Sequence, residues 1–96
     1  RVIDTFKLTF DNRLYLAGLQ TLLEILAETS NSIDRLLLVG HNPGLTHLLG
    51  YLSPPDALPP DRQLMTPASI ALITFDSNWS DLNHQCSSSC ELIYPP

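Results

Sequence analysis

The sequence predicts a layered α/β/α fold built on a mostly parallel sheet. Two segments carry apolar residues at helical spacing, an uninterrupted apolar run of strand length lies between them, and the chain order is helix, strand, helix, strand. A run without alternation is typical of a strand buried on both faces, as in a parallel sheet. We interpret residues 1–96 as a single partial domain that lacks its N-terminal part.

The first half of the chain predicts an extended segment followed by an amphipathic helix. Residues 2–10 favour an extended conformation, and Asp11 or Asn12 can then serve as a helix N-cap. The helix is predicted from Leu14 to Ala27, because its apolar residues share one face. That face comprises Tyr15, Leu16, Leu19, Leu22, Leu23 and Leu26.

The second half begins with the apolar run Leu36–Val39, which predicts the buried strand. Residues 40–44 interrupt it, and Asn42 as N-cap with Pro43 in the first turn predicts the start of a second helix. Its apolar face comprises Leu45, Leu48, Leu49 and Leu52. A Pro-rich loop over residues 53–67 follows.

The C-terminal third predicts two strands. Ser69–Phe75 has small and β-branched residues among its larger apolar ones, as strands do. Residues 91–94 predict a last short strand that pairs with it in antiparallel fashion. The polar turn between them carries Trp79, which we interpret as a packing anchor.

The composition excludes several classes of function. The net charge of −5 argues against binding to nucleic acid or to an anionic membrane, because both need basic patches. No apolar run approaches the roughly 18 residues of a membrane helix, and no signal peptide is recognisable, so we expect a cytoplasmic protein. Charged residues make up 16%, against about 25% in a typical soluble domain. The chain is therefore short of polar surface.

The strongest chemical signal is a histidine between the predicted buried strand and the second helix. His41 would lie at the carboxyl end of the strand, which is where ligands bind in open α/β sheets. The following helix N-terminus favours an anion, Gly40 permits close approach, and a protonated His41 could bind a phosphate oxygen. The predicted phosphate-binding residues are Gly40, His41, Asn42 and Gly44. The alternative is that His41 only fills a turn.

The two cysteines do not define a site. Cys86 and Cys90 predict free thiols in a polar loop, although a disulfide between them is possible. With His84 they form a cluster of three potential zinc ligands, but no fourth ligand stands out. We therefore predict no metal and no cofactor.

The ordered set of motifs resembles the histidine phosphatase superfamily, which has the phosphoglycerate mutase-like fold. Residues 39–45, Val-Gly-His-Asn-Pro-Gly-Leu, are similar to its second-histidine motif, in the form found in SixA-type phosphohistidine phosphatases. Four other stretches match in order and extend the likeness over most of the chain. They are Leu14–Ala17, Thr66–Ala71, Trp79 with Leu82, and Leu92–Pro95.

The resemblance implies hydrolysis of a phosphohistidine or phosphomonoester through a phosphohistidine intermediate. His41 then corresponds to the histidine that clamps the phosphate oxygens, and Asp11 is the nearest counterpart of the proton-donating acid. The implied substrate is a phosphorylated small molecule or a phosphoprotein.

The chain departs from this family pattern in two ways. No Arg-His-Gly occurs in the 96 residues, so the motif that carries the family's nucleophile is absent. The remaining histidines and the arginines do not match the family's other positions. The alternative function is therefore a non-catalytic module that binds phosphate or a phosphoprotein.

A missing neighbouring strand would also leave Leu36–Val39 with an unpaired edge. We therefore expect the isolated chain to be unstable, to form a homo-oligomer through this edge, or to pair with the missing segment.

Overall fold

The computed structural model describes residues 7–58 and 65–96. Within these residues, helices α1 (Leu19–Ala27) and α2 (Gly44–Leu52) precede strands β1 (Ile70–Thr74) and β2 (Ser89–Ile93). Two short 3-10 helices, Asn12–Leu14 and Trp79–Asp81, lie ahead of α1 and between the strands. The predicted extended segment 2–10 and Pro-rich loop 53–67 fall partly outside the described residues. Of the former, residues 7–10 form neither helix nor strand.

Helix α1 is shorter than its sequence pattern predicts. The Asp11 carboxylate accepts a hydrogen bond from the Arg13 backbone N–H at 2.9 Å, so it caps the 3-10 turn rather than a long helix. Leu16 then takes a positive φ of 52°, which no helix interior allows. The helix starts only at Leu19, and Tyr15 and Leu16 remain largely exposed.

The core forms where α1 packs against α2. Its fully buried side chains are Leu22 on α1 and Leu49 and Leu52 on α2. The close approach depends on Gly44, since a Cβ built there would lie 2.0 Å from the Ala17 carbonyl oxygen. None of the described helices has the length and apolar character needed to span a membrane.

The predicted antiparallel pairing of the last two strands is confirmed. Ile70 faces Ile93 and Thr74 faces Ser89 in the β1–β2 ladder. Cys90 lies in β2, not in the polar loop expected from the sequence, and both cysteines are free. The buried Ser87 donates its hydroxyl to the Leu52 carbonyl oxygen at 2.6 Å, which fastens the loop before β2 to the end of α2.

Leu36–Val39 is not a strand, contrary to the prediction from its apolar run. Leu37 and Val39 are 81% and 72% exposed, and only Leu38 packs against the core. A run of this kind becomes a buried strand when neighbouring strands accept its backbone hydrogen bonds. The two-stranded sheet in the described part of the chain does not include it, so the parallel α/β/α arrangement stays a prediction.

Trp79 anchors the start of this segment, in agreement with the packing role predicted from the sequence. Its indole N–H donates to the Ile33 carbonyl oxygen at 2.9 Å. Its ring also meets the Phe75 ring at a centroid distance of 6.3 Å. These contacts hold the start of the irregular segment, at Ile33, near the end of β1. The segment's other end is the His41 turn, which leads into α2.

Candidate functional site

The turn that carries His41 is held by the side chain of Asn42. The Asn42 Oδ1 atom accepts from the Thr46 backbone N–H at 3.2 Å and from the Thr46 hydroxyl at 3.0 Å. Helix α2 begins at Gly44 with Pro43 at the N-cap position, one residue later than predicted, so Asn42 lies just outside the cap although its side chain still accepts from a first-turn N–H.

The same amide also reaches the chain ahead of β1. Asn42 Nδ2 donates to the Met65 carbonyl oxygen, and the Met65 N–H donates to the Thr46 hydroxyl at 3.1 Å. Both polar atoms of the Asn42 side chain are therefore engaged in holding the turn. A role for this side chain in phosphate binding would compete with these bonds.

The backbone of the turn leaves amides for an anion. The Leu45 N–H donates to the His41 carbonyl oxygen at 3.1 Å, and the His47 N–H donates to that of Pro43 at 3.0 Å. The Gly40 and His41 amides donate to no residue in the described ranges. Gly44 is buried against Ala17, so its evident role is close packing. Within the described residues, the Gly40 and His41 amides are therefore two of the backbone donors that the turn leaves without an acceptor.

His41 itself is exposed, and its ring contacts Tyr15. The two ring centroids lie 5.5 Å apart at an interplanar angle of 75°, an edge-to-face arrangement. Tyr15 reaches this position because the chain from Asp11 to Gly18 crosses the start of α2, where Ala17 meets Gly44. The sequence offered no periodic signal for this contact, since the residues are far apart in the chain.

His41 lies at one end of a long cleft that we call the central groove. It is lined by residues 33–42, by residues 65–75 with 77–79, and by leucines of the helices, which are Leu26 of α1 and Leu45, Leu48, Leu49 and Leu52 of α2. Its volume is about 1340 Å³, above the roughly 300–1,000 Å³ typical of small-molecule sites. Gly40, His41 and Asn42 all line it. The candidate phosphate site thus opens into a space larger than a phosphate needs.

A second cleft, the outer groove, lies on the other side of the same segment. It has a volume of about 1590 Å³, and its lining includes residues 7–12 and the C-terminal part of α1. Residues 35–39 line both clefts and form the ridge between them. Arg35 belongs to this ridge.

The structure does not bring Asp11 together with His41. Asp11 lines the outer groove, whereas His41 lines the central groove. The Asp11 carboxylate accepts from Arg13 Nη2 at 2.7 Å, and the same guanidinium binds Glu28 through two hydrogen bonds of 2.7 and 2.8 Å.

These hydrogen bonds from Arg13 lower the pKa of Asp11 and that of Glu28. A proton donor in catalysis is usually a carboxyl whose pKa is raised toward the working pH. The described geometry therefore gives Asp11 a structural role beside the predicted one.

The other candidate ligands lie apart from His41. His47 is exposed on α2, and the His84 ring packs against Tyr51 at a centroid distance of 5.4 Å. Among the described residues, no group of three or more His, Cys, Asp or Glu side chains is placed to hold a metal ion. Comparisons with protein-family models, curated proteins and solved structures found no match to this chain.

Proposed function

We propose that this chain carries the phosphate-clamping half of a histidine phosphatase-type site, with His41 as its central residue. The observation that carries the proposal is the exposed His41 imidazole just ahead of α2, in a turn whose Gly40 and His41 amides donate to no residue in the described ranges. A helix N-terminus with hydrogen-bond donors beside it favours a phosphate oxygen. The motif over residues 39–45 supplies the reason to choose a phosphoryl group over other anions.

The chemistry proposed for the complete site is phosphoryl transfer from the substrate to a nucleophilic histidine, followed by attack of water on that phosphohistidine. His41 and the two amides would bind the non-bridging oxygens and stabilise the charge that they carry in the transition state. The 96 residues contain no Arg-His-Gly, the family motif of the nucleophile. We therefore expect this chain alone to bind phosphate without turning over a substrate.

The first experiment is a titration of the chain with inorganic phosphate, measured by isothermal titration calorimetry. Replacing a charge-assisted hydrogen bond should weaken binding by about tenfold or more, so we expect that loss for His41→Ala. The matched control is His47→Ala, because His47 is also an exposed histidine but lies on α2, six positions after His41. Equal affinity of the parent chain and His41→Ala would overturn the proposal.

A second candidate function is a non-catalytic module that binds phosphate or a phosphoprotein. Two observations favour it: the missing Arg-His-Gly motif and the capture of Asp11 by Arg13. Phosphoramidate, a small phosphohistidine mimic, separates the two candidates. A longer chain with an Arg-His-Gly segment should hydrolyse it if the site is catalytic, whereas a binding module would hold phosphate and leave phosphoramidate intact.

We also propose a cytoplasmic location. The free thiols of Cys86 and Cys90 support it, because reducing compartments keep thiols unpaired.

A further inference from the structure

Tyr15 and His41 are both exposed, yet their rings are in contact. Tyr15 is 73% exposed, so burial of its own side chain does little to hold the ring in place. The two ring centroids nevertheless lie 5.5 Å apart in an edge-to-face arrangement. The position of Tyr15 is therefore set mainly by the backbone that carries it.

The backbone before Tyr15 is anchored by Arg13. Its guanidinium binds the Asp11 carboxylate at 2.7 Å and the Glu28 carboxylate through bonds of 2.7 and 2.8 Å. Glu28 is the C-cap of α1. A single exposed ion pair contributes little to stability, but a guanidinium that binds two carboxylates at once forms a network with better geometry. Arg13 therefore fastens the chain ahead of Tyr15 to the end of α1.

The backbone after Tyr15 is anchored by Ala17, and the residue between them is strained. Ala17 is buried, and its carbonyl oxygen packs on Gly44 of α2 where no Cβ would fit. Leu16 has a φ of 52°, in the left-handed region that leucine seldom adopts. Such a conformation persists only where the surrounding contacts impose it. The two anchors can impose it here, whereas the Leu16 side chain is itself largely exposed.

We propose that residues 11–17 form a strap that positions His41, and that loosening its Arg13 anchor weakens the phosphate site. The inference rests on the proposed function. Without the Arg13 bonds, Leu16 relaxes toward a negative φ, and Tyr15 moves away from the imidazole because the chain changes direction at the next residue. The His41 ring then samples more orientations, so its hydrogen bond to a phosphate oxygen costs more ordering. Tyr15 is thus a positioning residue, controlled by ion pairs in which His41 takes no part.

The test compares Arg13→Ala with Glu28→Ala in the full chain. Both variants break the bonds between the strap and the end of α1, but they change the net charge in opposite directions. At a single pH, we expect both to shift the His41 ring-proton resonances toward those of Tyr15→Leu. Both should also weaken binding of inorganic phosphate by about two- to fivefold. A purely electrostatic effect would instead weaken binding in Arg13→Ala and strengthen it in Glu28→Ala.

The matched control for the loss of a carboxylate is Glu24→Ala. Glu24 is exposed on α1 and takes no part in the bonds to Arg13. This variant should leave the His41 resonances and the phosphate affinity as they are in the parent chain. Urea unfolding of every variant checks that the fold is retained.

A second substitution tests the strained residue itself. Leu16→Asn should restore the phosphate affinity of the Arg13→Ala chain to within about twofold of the parent value, because asparagine adopts the left-handed region more readily than leucine. Asparagine is chosen over glycine because glycine would add backbone freedom of its own.

The failure of this inference can be told apart from the failure of the proposed function. Unchanged His41 resonances and affinity in both Arg13→Ala and Glu28→Ala would overturn the strap. Opposite changes in affinity, or a loss that Leu16→Asn does not restore, would overturn it as well. A parent chain that binds no phosphate would instead overturn the proposed function, and the coupling with it.

Discussion

Gly44→Ala tests whether the packing of α1 against α2 holds the candidate site in place. The new Cβ would lie 2.0 Å from the Ala17 carbonyl oxygen and 3.4 Å from Leu22 Cδ1. Since real Cβ contacts stay above 3.0 Å, the two backbones would have to separate by about 1 Å or more. The obstacle is backbone, so a rotamer change cannot relieve the clash.

The expected loss follows from two opposing terms. Overpacking in a core costs about 1–3 kcal/mol, whereas the gain of alanine over glycine inside a helix, about 0.5–1 kcal/mol, applies only in part at Gly44 because it is the first residue of α2. We expect net destabilisation of about 1–2 kcal/mol, or a fall of about 1 M in the urea midpoint for a domain of this size. Urea unfolding followed by helical circular dichroism measures it.

Gly50→Ala is the matched control, because the same change occurs in the same helix without the clash. Gly50 is exposed, and nothing lies within 4 Å of a Cβ built there. We expect this variant to be more stable than the parent by about 0.5–1 kcal/mol. Equal or higher stability of Gly44→Ala would refute the close packing of Ala17 on α2, and with it the placement of Tyr15 beside His41.

Two further predictions concern the segment that precedes α1. Tyr15→Leu should remove the ring-current shift that the tyrosine imposes on the His41 ring protons, and it should weaken phosphate binding by about three- to tenfold. Tyr15→Phe should keep both the shift and the affinity. An unchanged proton spectrum of His41 in Tyr15→Leu would contradict the ring contact. The pKa values of Asp11 and Glu28 are lowered in the folded state, below 3.8 and 4.5 respectively. The part of the free energy of unfolding that comes from their bonds to Arg13 is therefore present at neutral pH and is lost as the pH falls through the folded-state pKa values. Urea midpoints between neutral pH and about pH 3 should therefore fall less in Arg13→Ala than in the parent, and equal slopes would argue against the ion pairs.

Local patterns predicted α2 and the β1–β2 pair well, because each carries its own signal. The leucine stripe after Gly44 and the short strand-forming runs reflect contacts near in sequence. The start of α1 was predicted too early, since the apolar stripe continues backward through Tyr15 while Asp11 closes a separate 3-10 turn. Periodicity does not register a side chain that redirects the backbone.

The candidate site, too, could be predicted from local sequence patterns only in part. The position of His41 ahead of α2 could be predicted from the helix-start signal of Asn42 and Pro43 and from the motif, although the strand predicted before it is absent. The hydrogen bonds to Met65 and the Tyr15 contact could not, because they join segments whose approach depends on tertiary packing. The bond from Thr46 to Asn42 is local, and Asn42 followed by Pro43 was the signal for it.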